Sequence, residues 1–183
     1  MKTKYFPTIK LFVLPAIIAY LAIKPSTAFT MRLSFDFCGL ILIASTIEII
    51  VKLTKTVIFK IKKKHYPLNL LLRPSISLIV ALAAIYHLTA IEKEAKAYLW
   101  QLANKVQATC EAQNKCPTIL DGWTKDAYGQ SQRLHYVGST EFHMRYVPYD
   151  GGKDFAIFLN YGLGEGFVVP GGMNKTIVMK ATH

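Results

Sequence analysis

Apolar residues are not spread evenly along this chain: long runs of them crowd residues 5–91, and from Glu92 onward acids, amides, glycines and aromatics alternate as in a water-soluble fold. A single soluble domain of 183 residues could bury a sizeable core, but it would not sort its residues in this way. The chain therefore changes solvent near residue 91, and its two halves obey different rules.

Charge follows the same division. Residues 1–91 hold 12 Lys and Arg against Asp36 and Glu48 alone, whereas residues 92–183 hold 10 against 9 acids, so nearly all of the net charge of +11 lies in the apolar half. These cations sit at the ends of apolar runs, and no zinc-finger, helix-turn-helix or RNA-binding signature accompanies them, so membrane topology explains them better than nucleic-acid binding. No nucleic-acid partner is expected.

Three stretches meet the length a hydrocarbon core requires, about 20 helical residues: 5–23, 33–53 and 73–91. The third opens at Arg73-Pro74, where a missing N–H costs a helix little. From Ile76 to Ile85 the only polar residue is Ser77, whereas a helix of a soluble bundle would show one every third or fourth position. Between the second and third stretches lie Lys52, Lys55, Lys60, Lys62, Lys63, Lys64 and Arg73, against Lys24 and Arg32 between the first and second. Short loops rich in Lys and Arg stay cytoplasmic. With Lys2, Lys4 and Lys10 also inside, the expectation is a bacterial inner-membrane protein with a cytoplasmic N-terminus and a periplasmic domain at 92–183. A competing reading makes the first stretch a cleaved signal peptide, since Lys2 and Lys4 precede it and Ser26-Thr27-Ala28 fits a small-x-small cleavage site; the domain at 92–183 faces outward either way.

Of three cysteines, Cys38 falls inside the second stretch, where a thiol is a small apolar filler. Cys110 and Cys116 enclose a polar loop followed by Pro117, and in an oxidising compartment they are expected to form a disulfide. Two thiols six apart, with His135 and His143 distant and in strand-like sequence, make an incomplete zinc site. No metal and no cofactor is expected.

Ala95, Tyr98, Leu99, Leu102, Val106 and Cys110 recur at helical spacing, with Lys96, Gln101, Asn104, Lys105 and Glu111 on the other surface, so the third span is expected to continue into an amphipathic helix. Downstream the period becomes two, predicting strands at 133–137, 142–149, 154–161, 166–169 and 175–180. Asp150-Gly151-Gly152-Lys153 reads as a hairpin turn, as do Pro170-Gly171-Gly172 and the glycines of 162–166. The predicted fold is an α+β membrane protein: three N-terminal transmembrane helices, the third extending into a helix packed on a small antiparallel sheet.

A long helix, half in the membrane and half on an antiparallel sheet, is the outline of type IV pilins and pseudopilins. The passage from Leu88 to His183 resembles the periplasmic part of such proteins, with its Cys110–Cys116 loop and the phrase Gly122-Trp123-Thr124-Lys125-Asp126-Ala127-Tyr128-Gly129. The chain departs from the family in lacking a Gly-Phe-Thr-Leu-x-Glu processing site and in carrying two further spans. The resemblance thus implies a pilin-like domain rather than a polymerising subunit. The layout also resembles that of small inner-membrane proteins of Gram-negative bacteria.

Two ionisable residues fall at membrane depth. Glu48 is a functional candidate by default, although Lys52, one turn on, can satisfy it; His87 follows Tyr86 at the expected outer interface. In the outer half, His135, His143, Glu141, Asp150, Asp154, Ser131 and Ser139 form no recognisable catalytic set, and no Gly-x-Ser-x-Gly, Ser-x-x-Lys or His-Glu-x-x-His is present. His143 and Arg145 share the strand face opposite Phe142, Met144 and Tyr146, which reads as a solvated face. No catalytic residue is assigned. Tyr128, Tyr136, Tyr146, Tyr149, Phe155, Phe158, Tyr161 and Phe167 exceed what one face of so small a sheet can bury, and surplus aromatics suit recognition. The expected function is therefore non-catalytic: binding of an envelope protein by the outer domain, as an accessory to a pilus or secretion system, with lipid around the spans. The alternatives are an immunity protein against a toxin acting at the inner membrane, and a transporter or channel component using Glu48 and His87.

Overall fold

The computed structural model describes residues 16, 17, 19, 20, 25–61, 71–162 and 165–182. It is an α+β protein with two long helices, α1 (Ala28–Ile61) and α2 (Leu72–Gln113), and one six-stranded antiparallel sheet. Among the described residues two helices, not three, are long and apolar enough to cross a membrane: α1 and the apolar part of α2. The expected span at 5–23 lies outside the described residues except at 16, 17, 19 and 20. The stretch expected at 33–53 lies within α1, and the one at 73–91 is the first part of α2.

The chain forms two compact units, one of Met1–Pro25 with Met31–Thr89 and one of Ser26–Thr30 with Ala90–His183. In the first unit Cys38 and Ile41 of α1 are buried with Ala81 and Ala84 of α2, flanked by Leu42, Val80 and Ile85. Ser34, Ser45 and Ser77 are buried as well. Small residues let helix backbones approach closely. The large apolar side chains point the other way: Leu40, Ile43 and Ile47 of α1 and Ile79 and Leu82 of α2 are each at least half exposed. Thr27 caps α1, its Oγ1 accepting from the Thr30 N–H at 3.2 Å while Thr30 Oγ1 accepts from the Thr27 N–H at 3.0 Å. This is a reciprocal capping box with threonine in the place usually held by Glu.

In the second unit the strands run in sequence order: β1 (Thr124–Lys125), β2 (Ser131–Val137), β3 (Thr140–Tyr149), β4 (Asp154–Gly162), β5 (Glu165–Gly172) and β6 (Lys180–Thr182). β3 alternates as a one-sided sheet requires, while the first four residues of β4 are all buried. Phe142, Met144 and Tyr146 of β3, Phe155, Ile157 and Leu159 of β4 and Val169 of β5 are buried, in register across the ladder as Met144↔Leu159, Tyr146↔Ile157 and Ile157↔Val169. His143 is exposed and Arg145 half-buried on the opposite face. The second part of α2 contributes a buried stripe of Ala95, Leu99, Ala103, Val106 and Cys110 at helical spacing. Four contacts tie it to the sheet unit: Tyr161 donates to Glu92 at 3.3 Å, Lys96 lies 3.9 Å over the Phe167 ring, Tyr98 stacks on His135 at 3.7 Å, and Gln107 bonds to Gly172.

The hairpin at Asp150–Gly152 forms between β3 and β4, with positive φ at Asp150, Gly151 and Gly152 in succession. The other expected turn does not: Pro170-Gly171-Gly172 continues β5. Its glycines answer to crowding rather than to reversal, since a Cβ on Gly171 would lie 2.4 Å from the Phe155 ring and one on Gly172 would lie 2.2 Å from Asp154 Oδ1. The strand expected at 175–180 is not found there: residues 175–179 lie outside the ladder, with Lys175 paired to the buried Asp154 carboxylate, and β6 begins only at Lys180. β1 answers to no predicted strand. The glycine-rich stretch at 162–166 ends β4 and begins β5, with 163 and 164 outside the described residues.

Candidate functional site

α2 ends where its hydrogen-bonding geometry tells it to. Asn114 follows the last helical residue at φ 51°, and the Lys115 N–H bonds back to the Cys110 carbonyl at 3.1 Å, the six-to-one closure of a Schellman motif. Cys110 and Cys116 are joined by a disulfide across this reversal. The Cys116 N–H donates to the Gly152 carbonyl at 2.6 Å, and the Tyr146 hydroxyl donates to the Pro117 carbonyl at 2.6 Å. Burial pushes the Tyr146 phenol up to about 12, so it stays a donor throughout the physiological range. The segment after the disulfide is thereby fixed to the β3–β4 end of the sheet.

From there the chain returns along α2. The Trp123 N–H bonds to the Leu120 carbonyl at 3.1 Å, and Gly122 turns the chain at φ 74°. Asp126 then organises the β1–β2 reversal: its Oδ1 accepts from the Tyr128 and Gln130 N–H groups at 2.9 and 2.8 Å, an Asx-type turn.

Between this returning loop, the flank of α2 and β2 lies a partly open groove of about 440 Å³, within the range of ligand pockets. Leu102, Val106, Ile119 and Leu120 are aliphatic members of its lining, and Tyr98 and Trp123 are aromatic ones. Lys105, Arg133 and Asp121 are its charged members, and none of the three makes an ion pair among the described residues. The resolved ion pairs elsewhere are Arg32–Asp36, Lys52–Glu48, Lys96–Glu92, His143–Glu141 and Lys175–Asp154. Two cations among aromatic and aliphatic side chains suit an anionic group carried on an apolar body.

Next to the groove, His135 lies flat against Tyr98, with 7° between the ring planes. Burial, and after it the Arg133 charge, lowers the imidazole pKa below its usual 6.5, with Glu94 opposing. The ring is therefore neutral at pH 7.

The residues singled out in the sequence are dispersed. Lys52 donates to Glu48 at 2.5 Å on their own helix, His87 is exposed on α2, and among the described residues no hydrogen bond or ion pair joins Glu48 to His87. Glu141 accepts from Tyr136 at 2.9 Å and lies 3.1 Å from His143, both on the outer face of the sheet. Ser131 is buried, Ser139 is exposed in a turn, and Asp150 forms the β3–β4 reversal. Among the described residues no three His, Cys, Asp or Glu are grouped to hold a metal. Of the eight aromatics counted as surplus, Tyr146, Phe155 and Tyr161 are buried, while Tyr128, Tyr136 and Tyr149 are exposed.

Sequence reasoning missed the groove itself. A signal for it was present: Tyr98 and Leu102 lie beside the buried stripe of Ala95, Leu99, Ala103 and Val106, so α2 carries more apolar surface than one sheet contact uses. Compared with known proteins, the chain matches no family model, no curated protein and no solved structure.

Proposed function

We propose that the chain is a non-catalytic protein of the bacterial inner membrane whose periplasmic, pilin-like domain binds another envelope protein, as an accessory to a pilus or secretion system. The observation that carries this reading is the groove, with Lys105 and Arg133 free of ion pairs among the described residues and set among aromatic and aliphatic side chains. Its lining offers recognition chemistry and no paired nucleophile and base.

The membrane part of the proposal draws support from the first unit, where small residues meet between helices and large aliphatic ones face outward. That arrangement suits a surrounding of lipid tails. The orientation draws support from Ser26–Thr30: the Glu141 N–H donates to the Ser26 carbonyl at 3.1 Å, so the segment before α1 joins the same unit as residues 90–183. Two crossings by α1 and α2, with the lysines of 52–64 at the far side, satisfy both this contact and the positive-inside rule. A third crossing at 5–23 would put the N-terminus in the cytoplasm. The pilin likeness is supported by outline alone, a long helix laid on an antiparallel meander.

Cross-linking in intact cells through a C-terminal tag, followed by mass spectrometry of the captured membrane proteins, tests the function. Recovery of pilus or secretion components is the expected result. Capture of a single toxin would replace the accessory role by immunity, and recovery of the protein's own copies alone would end the partner reading.

A further inference from the structure

The groove runs beside an unfinished edge of the sheet. β1 pairs with β2 only at Thr124↔Gln132 and Lys125↔Ser131, so β2 from Arg133 to Val137 has a neighbour on one side only, β3, among the described residues. The direction of its free groups can be read from the turn. The Gln130 carbonyl accepts the Asp126 N–H and the Gln132 carbonyl accepts the Thr124 hydroxyl, both from the β1 side. Alternate residues of an antiparallel strand aim their backbone groups to the same side, so Leu134 and Tyr136 present N–H and C=O to the open edge. Arg133 and His135 project to the face shared with Phe142 and Met144, their register partners being Met144 and Phe142, which is the face α2 covers. Arg133 accordingly lines the groove.

We infer that this edge and groove together receive an extended peptide segment of a partner protein, added as a strand beside β2, with an acidic side chain reaching Arg133 and Lys105 and apolar neighbours against Tyr98, Leu102 and Trp123. The inference rests on the partner-binding reading and deepens it by naming what the domain holds. Main-chain pairing supplies affinity in this mode, and pockets for alternate side chains supply selectivity. An extended segment fits better than a compact small ligand because two requirements are left open in one place. Among the described residues the outward backbone groups of Leu134 and Tyr136 have no strand partner, and an unprotected edge is a liability that proteins ordinarily cover. Among the described residues Lys105 and Arg133 have no carboxylate partner. One extended acidic segment answers both. Asp121 at the rim would repel a second acid, so a single acidic residue among apolar ones fits better than an acidic run.

The test uses the full chain in lipid nanodiscs and two fluorescent ten-residue probe peptides of alternating Val and Thr, one with a central Asp and one with Lys in its place, read by anisotropy. Saturable binding of the Asp peptide, at least tenfold tighter than the Lys peptide, is expected. Arg133→Glu should invert that preference. Leu134→Pro removes one outward N–H while leaving the β2–β3 bonds in place, since Leu134 does not bond to β3, and should weaken the Asp peptide at least tenfold with the thermal midpoint little changed. Should Leu134→Pro unfold the domain, N-methylation of the probe at alternate residues asks the same question from the ligand side: one register should lose binding and the other keep it. Equal affinity for both probes, or indifference to which register is methylated, would overturn the inference. In cells, a cross-linked partner whose capture is unchanged by Arg133→Glu and Leu134→Pro would also overturn it while leaving partner binding intact; absence of any partner in cells, with the probes behaving as described, would instead remove the wider reading.

Discussion

Gln107 is a polar side chain on the buried stripe of α2, and removing it should cost more than a surface amide usually does. Its Oε1 accepts the Gly172 N–H at 2.8 Å, and its Nε2 donates to the Gly172 carbonyl at 2.5 Å and to Glu111 Oε1 at 2.7 Å. Gln107→Ala leaves the buried Gly172 N–H without its partner, at about 1–3 kcal/mol, while the Gly172 carbonyl keeps the Lys175 N–H at 3.3 Å. Exposed Asn174 and Lys175 lie nearby and admit some water, so a loss of about 1–3 kcal/mol is expected. For a domain of this size that lowers the thermal midpoint by roughly 5–20 °C. The assay is thermal unfolding of the full chain in detergent, followed by near-UV circular dichroism. Gln107→Glu sharpens it: a carboxylate cannot donate to the Gly172 carbonyl and faces Glu111, so the variant should be destabilised at neutral pH. It should recover toward wild type in acid, where the side chain regains an O–H. A loss below about 0.5 kcal/mol for Gln107→Ala would refute the reasoning, showing that water serves Gly172 as well as the amide does.

Three other outcomes follow from the same unit. Leu99→Ala, at a fully buried position on α2, should destabilise by about 2–5 kcal/mol in denaturant unfolding, whereas Ala substitution of exposed Gln101 should change little. Reducing Cys110–Cys116, or replacing both by Ser, should cost about 2 kcal/mol, the entropy of so short a loop, measured as a shift in the urea midpoint. The lowered His135 pKa means that the unfolded chain binds the proton more readily; this contribution to stability is present above pH 6.5 and declines as the pH falls through 6.5 toward the folded-state value. Thermal midpoints between pH 7.5 and 5 should fall less steeply in His135→Gln than in the wild type.

Much of the architecture was legible because two periods are hard to disguise. The 3.6-residue repeat through Ala95, Leu99, Val106 and Cys110 marked the helix, and alternation through Phe142, Met144 and Tyr146 marked the central strand with the correct face inward. What escaped depended on contacts distant in sequence. Gly171 and Gly172 look like a turn, because glycine's lack of a side chain serves close approach to Phe155 and Asp154 as well as it serves reversal. Gln107 owes its burial to Gly172, sixty-five residues further along the chain. β1 is only two residues long and owes its existence to the carboxylate of Asp126. The groove is legible only in hindsight, as apolar width on α2 that the sheet does not use.

The short segment before α1 has a consequence for how the molecule is made. Ser26–Thr30 belongs to the sheet unit, bridging to Glu141, and Phe29 covers Gly162, where a Cβ would lie 3.1 Å from its ring. The sheet unit is thus discontinuous in the chain, interrupted by residues 31–89. During synthesis at about 5–20 residues per second, Ser26 waits on the order of ten seconds for its strand partner. A fragment cut at residue 90 would be born without it, leaving the start of β3 with the Glu141 N–H unanswered and Gly162 uncovered. Such a fragment is a test of cooperativity in its own right: the unit can be completed by supplying Ser26–Thr30 in trans only if that corner folds last.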